Sequence, residues 1–587
     1  MIVRTRPQTS ANTQAGYALM MVLLLAGISL MALGGALSWT SSNAIQIERN
    51  NRYFDAISAA EAATEKVLSR ITTDYRSGGE SIVYANLQSY RGLTPIVGES
   101  QFWNDFEFNN AQGGIGQTFV NRISTSAYVD LNSQYQGLRG WASTYRVLSN
   151  ARVLNASYSV VGAVNQDVQV ASIPIFQFAI FYGLDLELHS LTTMTVDGRV
   201  HGNGTIYTYP SASLTFKGDV TSVGKIIKTR KPGDPAYSAS PPAGTITYQG
   251  QKDTGVSSMT LPIGTNNSPS AIRAVIEIPP SSELVSSLMG QQRYYNKAEL
   301  VITVTNNAVA ITAKTPLSSS STIIPWSQIT NFVSTNLTFT DQREGKTVNV
   351  TQIDVSKIQS WSATNATVQS VLGASTPVNL IYVADNRTTT ASRINGIRLV
   401  NGQTLPSRGL TVATPNPLYV NGHYNQPTAA HLGTTNTSNA KPASLVTDAL
   451  TILSANWSDG QSGASYTTRN AASTTVNAAV LTGIVETTNS PSIYSGGVHN
   501  LGRFLEDWTS DTFTYNGSMV VLFPSTKATA PFQQPGGYYY PPTRNYAFDL
   551  NYTDITKQPP GTPEVRALIR NSWSLVAPNS TNIVASY

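Results

Sequence analysis

The sequence predicts a mainly β protein with a long N-terminal α-helix. Its exterior part is either a β-helix or solenoid, or a β-sandwich, with an α+β insert. Three observations predict this. An apolar run of 23 residues, Tyr17 to Trp39, passes without a break into an amphipathic run from Ser41 to Ile71. From about Gly78 onward, short runs of Val, Ile, Thr, Tyr and Phe alternate with Gly-, Asn- and Pro-containing turns, the signature of short strands. Only 12% of residues are charged, against about 25% in ordinary soluble domains, so the surface is largely Ser, Thr, Asn, Gln and Tyr.

Composition also excludes several functions. At 587 residues and 41% hydrophobic content, the chain has room for about three to four domains and a sizeable core. The 38 basic and 33 acidic residues leave a net charge of +5, spread too thinly for a phosphate-binding stripe, so nucleic acid is not an expected partner. With no cysteine, disulfides, Cys-ligated metals and thiol nucleophiles are ruled out.

The helix comes first. After Arg4 and Arg6 no charge appears until Glu48. At 1.5 Å per residue Tyr17–Trp39 spans about 34 Å, enough for a hydrocarbon core of ~30 Å. The leading arginines put the N-terminus on the cytoplasmic side. A secretory signal peptide also begins basic and then apolar, but its apolar core is only ~7–15 residues and ends at a small-residue cleavage site, which is not evident here. From Ser41 to Ile71 there is no Gly or Pro, and Ile47, Phe54, Glu61 and Leu68 recur at sevens, with Ile57 and Ile71 beside them. That line is one face of a continuing helix, turned either to partner helices or to the protein's own globular part. Gly34-Gly35 is a soft spot, since Gly costs ~1 kcal/mol relative to Ala, and Ser77-Gly78-Gly79 ends the element. A helix from Tyr17 to Ile71 is roughly 80 Å long.

These residues carry a resemblance. Ala15-Gly16-Tyr17-Ala18-Leu19, at the end of a short basic leader, resembles the class III leader of type IV pilins and type II secretion pseudopilins. The segment from Arg52 to Ala63, ending Ala59-Ala60-Glu61-Ala62-Ala63, is similar to the end of the PilX-type minor pilin N-terminal domain and of the type II secretion tip pseudopilin. The likeness covers about 60 residues. It implies cleavage between Gly16 and Tyr17 by prepilin peptidase, methylation, and an assembly helix whose contacts include Met21, Ile47, Phe54, Glu61 and Leu68. Major pilins carry Glu five residues after the cut. Met21 stands there in this chain, and loss of that Glu is a feature of tip-located members.

The exterior part follows. Val147–Val170 alternates as strand, and Ile173–Tyr182 reads as one deeply buried strand run. Leu191–Ile227, Thr411–Asn425 and Ser473–Ser495 read as short strands closed by tight turns, among them Asn421-Gly422 and Thr482-Gly483. Such punctuation suits a solenoid, yet no strict repeat period emerges, which keeps the sandwich open. Between them, Ala271–Ile278 reads as a strand and Ser281–Met289 as a short helix capped by Ser281 or Ser282. Ala298–Val304 and Ala308–Ala313 form a hairpin over Asn306-Asn307. Val355–Trp361 is a helix and Val378–Ala384 a buried strand. Residues 228–250 and 426–443 read as exposed loops, and Tyr538-Tyr539-Tyr540-Pro541-Pro542 as a stiff extended stretch, set against a partner or packed on its own domain. The expected organisation is a leader (1–16), the helix (17–75), a β-rich domain (76–182), β-helix-like strands (183–250), the α+β insert (251–400) and a β-rich C-terminal part (401–587).

Candidate chemistry is sparse. Gly345-Lys346-Thr347 ends like a phosphate loop, but Thr340 stands where the upstream Gly is required and a strand follows. The five histidines (His189, His201, His423, His431, His499) form no i, i+4 pair, so structural roles are expected and no metal or other cofactor. Tyr494 to His499 holds a Ser and a His in a Gly-rich turn, not a nucleophile elbow. Asp185 and Glu187 share one face of a strand, suited to Ca²⁺, to acid/base cleavage of a polysaccharide, or simply to solvation. Glu506 and Asp507 read as the polar side of a short helix. Taken together, a non-enzymatic pilin-like subunit is expected, single-pass in a bacterial inner membrane with its C-terminal part periplasmic or in an extracellular pilus. Its partners are the membrane, other pilin-like subunits and prepilin peptidase. The alternative is a membrane-anchored surface adhesin or glycan-binding β-helix protein.

Overall fold

The computed structural model describes residues 14–156, 158–237 and 240–578; residues 1–13 of the expected leader lie outside them. A single α-helix (α1) runs Gln14–Gly78, and Gly79, at a φ of 80°, ends it in the left-handed region that glycine adopts without strain. Beside it stands an antiparallel sheet. Strands β1 (Phe106–Asn109), β2 (Phe119–Arg122) and β3 (Ala127–Asp130) pair in turn along one edge of β4 (Arg139–Val153), and β4 forms a hairpin with β5 (Val161–Pro174). The other edge of β5 is taken by the C-terminal strand Glu564–Leu575.

Most of the chain between β5 and that last strand winds as a parallel β-solenoid, which settles the winding that the sequence left open. Three sheets form its first coils. Ile180–Tyr182, Val200–Gly202 and Val220–Ser222 stack in one, Leu186–Leu188, Ile206–Thr208 and Ile226–Ile227 in the second, and Met194–Val196, Leu214–Phe216 and Ile246–Tyr248 in the third. Register partners Ile180, Val200 and Val220 stand twenty residues apart, as do Leu186, Ile206 and Ile226. A strict period therefore exists where none was expected. It was hidden because the third coil is interrupted between Ile227 and Ile246, and because the later coils lengthen from thirty-one residues (Leu380 to Thr411) to thirty-nine (Val480 to Met519).

The chain enters this solenoid in its middle. The first coils build outward to Lys252–Thr254, the end strand of a twelve-stranded sheet. A strap over residues 256–299 returns the chain toward the sheet's opposite end, where Leu300–Val304 and Val309–Ala313 form the expected hairpin. Later coils advance until Met519–Pro524 pairs in parallel with Ile180–Tyr182. The last coil thus stacks on the first. Leu186, Ile206, Leu214, Ile302, Ile397, Leu445 and Ile452 fill the interior, all without solvent exposure.

Several local expectations change. Ala271–Ile278 is not a strand but a helix, Pro269–Arg273, continuing as a 3-10 turn over Ala274–Ile276. Ser268 caps it, accepting from the Ala271 N–H, with Pro269 in the first turn, so the start signal overrides the β-branched composition. Ile272, Val275 and Ile276, at helical spacing, pack on the outer face of the large sheet. The helix expected at Ser281–Met289 forms instead at Leu288–Gln292, where Ser287 rather than Ser281 or Ser282 is the cap and accepts from the Gly290 N–H. Ile173–Tyr182 is split, β5 ending at Pro174 and a 3-10 turn handing the chain to the first coil at Ile180. Gly483 lies inside a strand, Ala479–Ile484, at a register shift rather than in a turn. Leu501–Trp508 is extended around a short strand, Arg503–Phe504, and Glu506 points inward to accept from the Ser454 N–H and Oγ, both at 2.7 Å. Residues 228–250 hold a strand and a buried Asp234 besides exposed loop. Tyr538 and Tyr539 are buried on their own domain while Tyr540 stays exposed. Lys346–Asp354 is a strand, as the residues after Gly345 suggested.

Candidate functional site

The long helix divides into two halves with different chemistry. From Tyr17 to Trp39 its apolar side chains point into open space: Tyr17 is 78% exposed and Met31 80%. This stretch is long and apolar enough to cross a membrane, and none of it is buried by the chain itself. Among the described residues the first buried one is Ala56, so residues 17–55 project about 58 Å beyond the head.

The second half is seated on the antiparallel sheet. Ala56, Ala59, Ala60 and Ala63 are fully buried, and against them Gly162 of β5 leaves no room for a Cβ, which would meet the Ile57 amide nitrogen at 2.6 Å. Small residues on both sides let the helix backbone lie directly on the strand. The run Ala59 to Ala63 is thus a close-approach surface, and farther along Val67, Leu68, Ile71 and Tyr75 complete it against Val147, Val168 and Val170. Polar clamps hold the edges. Arg570 of the C-terminal strand forms a two-pronged ion pair with Glu65, at 2.5 and 2.7 Å, and Gln166 donates to Thr64 and Glu65. Arg566 donates to the carbonyls of Tyr75 and Arg76, satisfying the helix end where unpaired carbonyls gather.

The expected assembly residues separate. Met21, Ile47 and Phe54 are 66%, 60% and 65% exposed, Glu61 is partly buried, and Leu68 is buried in the chain's own core. A strict seven-residue spacing on a straight helix drifts by ~20° per heptad, so Leu68 faces about 60° away from Ile47. Ile57 and Ile71 also turn inward. Gly16 and Tyr17 lie in the first turn of the helix, whose side chains are described from Tyr17 on.

On the solenoid, Glu187 is buried and Asp185 partly covered. Asp185 accepts from the Thr205 N–H and pairs with Lys231 at 3.0 Å. Glu187 is 4% exposed, Oε1 accepts from Ser495 Oγ at 2.9 Å, and burial pushes its carboxyl up. Around it the fold brings His189 and Asp234, with one potential ligand atom from each of the three within 4.8 Å of the others. Asp234 already holds Arg230 at 2.8 Å through Oδ2 and the Ala236 N–H through Oδ1, so this is a largely satisfied polar network under two loops. His189 Nε2 and Glu187 Oε2 are its unpartnered atoms. Sequence reasoning named Glu187 and His189 separately but did not join them to Asp234, which arrives on the insertion that breaks the repeat.

His189 and His201 are held neutral by burial, each pushed down to about 4; Arg230 adds to the effect at His189. His201 bonds Thr221 at 2.8 Å and Asn203 at 3.1 Å. A histidine lowered on folding takes up its proton first in the unfolded chain, so its contribution is intact above the ordinary value and is lost as pH falls from about 6.5 to about 4. We expect His201 alone to cost about 3 kcal/mol over that window. Denaturant midpoints measured from pH 7 to 4.5 should fall, and the slope should be shallower in His201→Gln.

No protein-family model matches the chain, and no curated protein matches it. Among solved structures, the crystal structure of the competence-associated pilin ComZ from Thermus thermophilus is similar over 89% of this chain and 97% of that one, at 11% sequence identity and a TM-score of 0.28.

Proposed function

We propose that this chain is a pilin-like structural subunit, of the minor, PilX-like kind, that is held in a bacterial inner membrane by residues 17–39 and joins sister subunits through the same helix. The observation that carries the reading is the divided helix: an apolar half wholly uncovered by the chain, continuous with a half locked on a sheet. An apolar rod of this size is not stable in water. Lipid covers it before assembly, and neighbouring helices replace the lipid afterwards by close packing. Met21, Ile47 and Phe54 lie on the uncovered length and are the contacts assigned to those neighbours. Prepilin peptidase cuts between Gly16 and Tyr17, with Arg4 and Arg6 holding the leader on the cytoplasmic side. Met21 in place of an acid leaves no carboxylate to neutralise an earlier subunit's N-terminus, which suits a position at the tip. No catalytic step is required of the head.

Exchange of residues 17–40 for an unrelated membrane helix tests this. The exchanged protein should remain in the membrane yet lose crosslinking to sister subunits. Undiminished assembly would reduce the helix to an anchor and overturn the proposal.

A further inference from the structure

A cleft of about 810 Å³ opens on the flank of the solenoid, between the ledge 189–195 and the segment 532–546. Its size falls in the range of small-ligand sites, and neither anchoring nor helix packing uses it. One wall is aromatic. The rings of Tyr494 and Phe532 meet edge-to-face at 5.4 Å, and Tyr540 beside them keeps 42% of its surface open. The other groups are polar and unfinished. His189 and Ser190, 2% and 4% exposed, line the cleft together with His499 and Arg544. Among the described residues His189 Nε2, Ser190 Oγ, His499 Nδ1 and Arg544 Nε have no hydrogen-bond partner. Buried polar atoms left unpaired are costly, and four of them on the lining of one cleft mark a site built for a polar guest.

Charge narrows the guest. Arg230 is neutralised by Asp234 at 2.8 Å. Arg544 forms no ion pair among the described residues; it donates to Asn500 and lies 5.9 Å over the Phe504 ring. One uncompensated guanidinium suits a single carboxylate, which it binds by its two-pronged face. A nucleic acid strand, with a phosphate at every nucleotide, calls for a track of cations that the cleft lacks. A lipid tail would leave the polar atoms unpaired. Neutral imidazoles and a hydroxyl both give and accept hydrogen bonds, matching a ring edged with hydroxyl groups whose flat C–H face rests on an aromatic side chain.

We propose that this cleft binds an acidic saccharide, with a sugar ring stacked on Tyr540, its carboxylate on Arg544, and its hydroxyl groups met by His189, Ser190 and His499. The site stands independently of how the helix is used.

The test is calorimetric titration of the full chain in detergent micelles with uronate oligosaccharides, with neutral malto-oligosaccharides of equal length, and with a single-stranded oligonucleotide. Tyr540 contributes to its surroundings through backbone bonds to Glu506 and Trp508, so Tyr540→Ala preserves the fold. The expected result is uronate binding, weakened about tenfold or more in Tyr540→Ala and in Arg544→Gln and unchanged in Trp141→Ala, an exposed aromatic on the antiparallel sheet. Absence of uronate binding, binding of neutral sugar or oligonucleotide in preference to uronate, or wild-type affinity in either cleft variant would overturn the assignment.

Discussion

A chain stopped at Pro563 is expected to lose the seat of its long helix while keeping its solenoid. The deleted strand pairs with β5 from Glu564 opposite Pro174 to Leu575 opposite Val164, and it buries Val565 and Ile569 almost completely. Burial of those two side chains is worth about 1.5–3 kcal/mol each. Arg570 and Arg566 go with the strand, leaving Glu65 with only Gln166 and the carbonyls of Tyr75 and Arg76 without their guanidinium. The combined loss approaches the 5–15 kcal/mol on which a whole domain stands. The solenoid closes on itself through Met519–Pro524 and Ile180–Tyr182, a contact the deletion does not touch. Hydrogen exchange should therefore show protection lost across residues 56–75 and 139–174 and kept across the first coils. Retained protection of residues 56–75 would mean that the helix is seated by β4 and β5 alone.

This dependence explains what could and could not be read in advance. The helix was legible because its signals are local: an uncharged apolar run, the absence of Gly and Pro, then Ser77-Gly78-Gly79. The clasp between residues 65 and 570 was not, since nothing in either segment marks the other. The solenoid's short strands announced themselves by composition and turns, but its twenty-residue period survives for only two full coils before the interruption after Ile227. Ala271–Ile278 failed as a strand because a Ser-Pro start and helical spacing of Ile272, Val275 and Ile276 outweighed β-branched content. At the sites, Glu187 stood out through its strand neighbour Asp185, whereas the cleft is assembled from segments around residues 190, 495 and 540. Side chains so far apart in sequence become a site only after the coils have stacked.

Gly16→Leu is expected to leave the leader attached and the subunit stranded in the membrane. The backbone at Gly16 is helical, within Gln14–Gly78, and a peptidase must draw its target out of the helix to reach the peptide bond. Glycine eases that step, being about 1 kcal/mol poorer than alanine in a helix interior, and it offers no side chain to obstruct the catalytic groups. Leucine reverses both effects. The uncut chain keeps Arg4 and Arg6 ahead of its apolar run, and pulling charged side chains through hydrocarbon is strongly unfavourable, so extraction into a filament is blocked even where the helix could still pack. Gly34 and Gly35 provide the control: a Cβ at either would meet nothing within 4 Å, and Gly34→Ala should be processed normally. Intact-mass measurement of the membrane fraction separates the outcomes. A wild-type chain beginning at Tyr17 beside a Gly16→Leu chain that retains residues 1–16 supports prepilin-type processing, whereas equal trimming of both, or a cut at any other bond, rules it out.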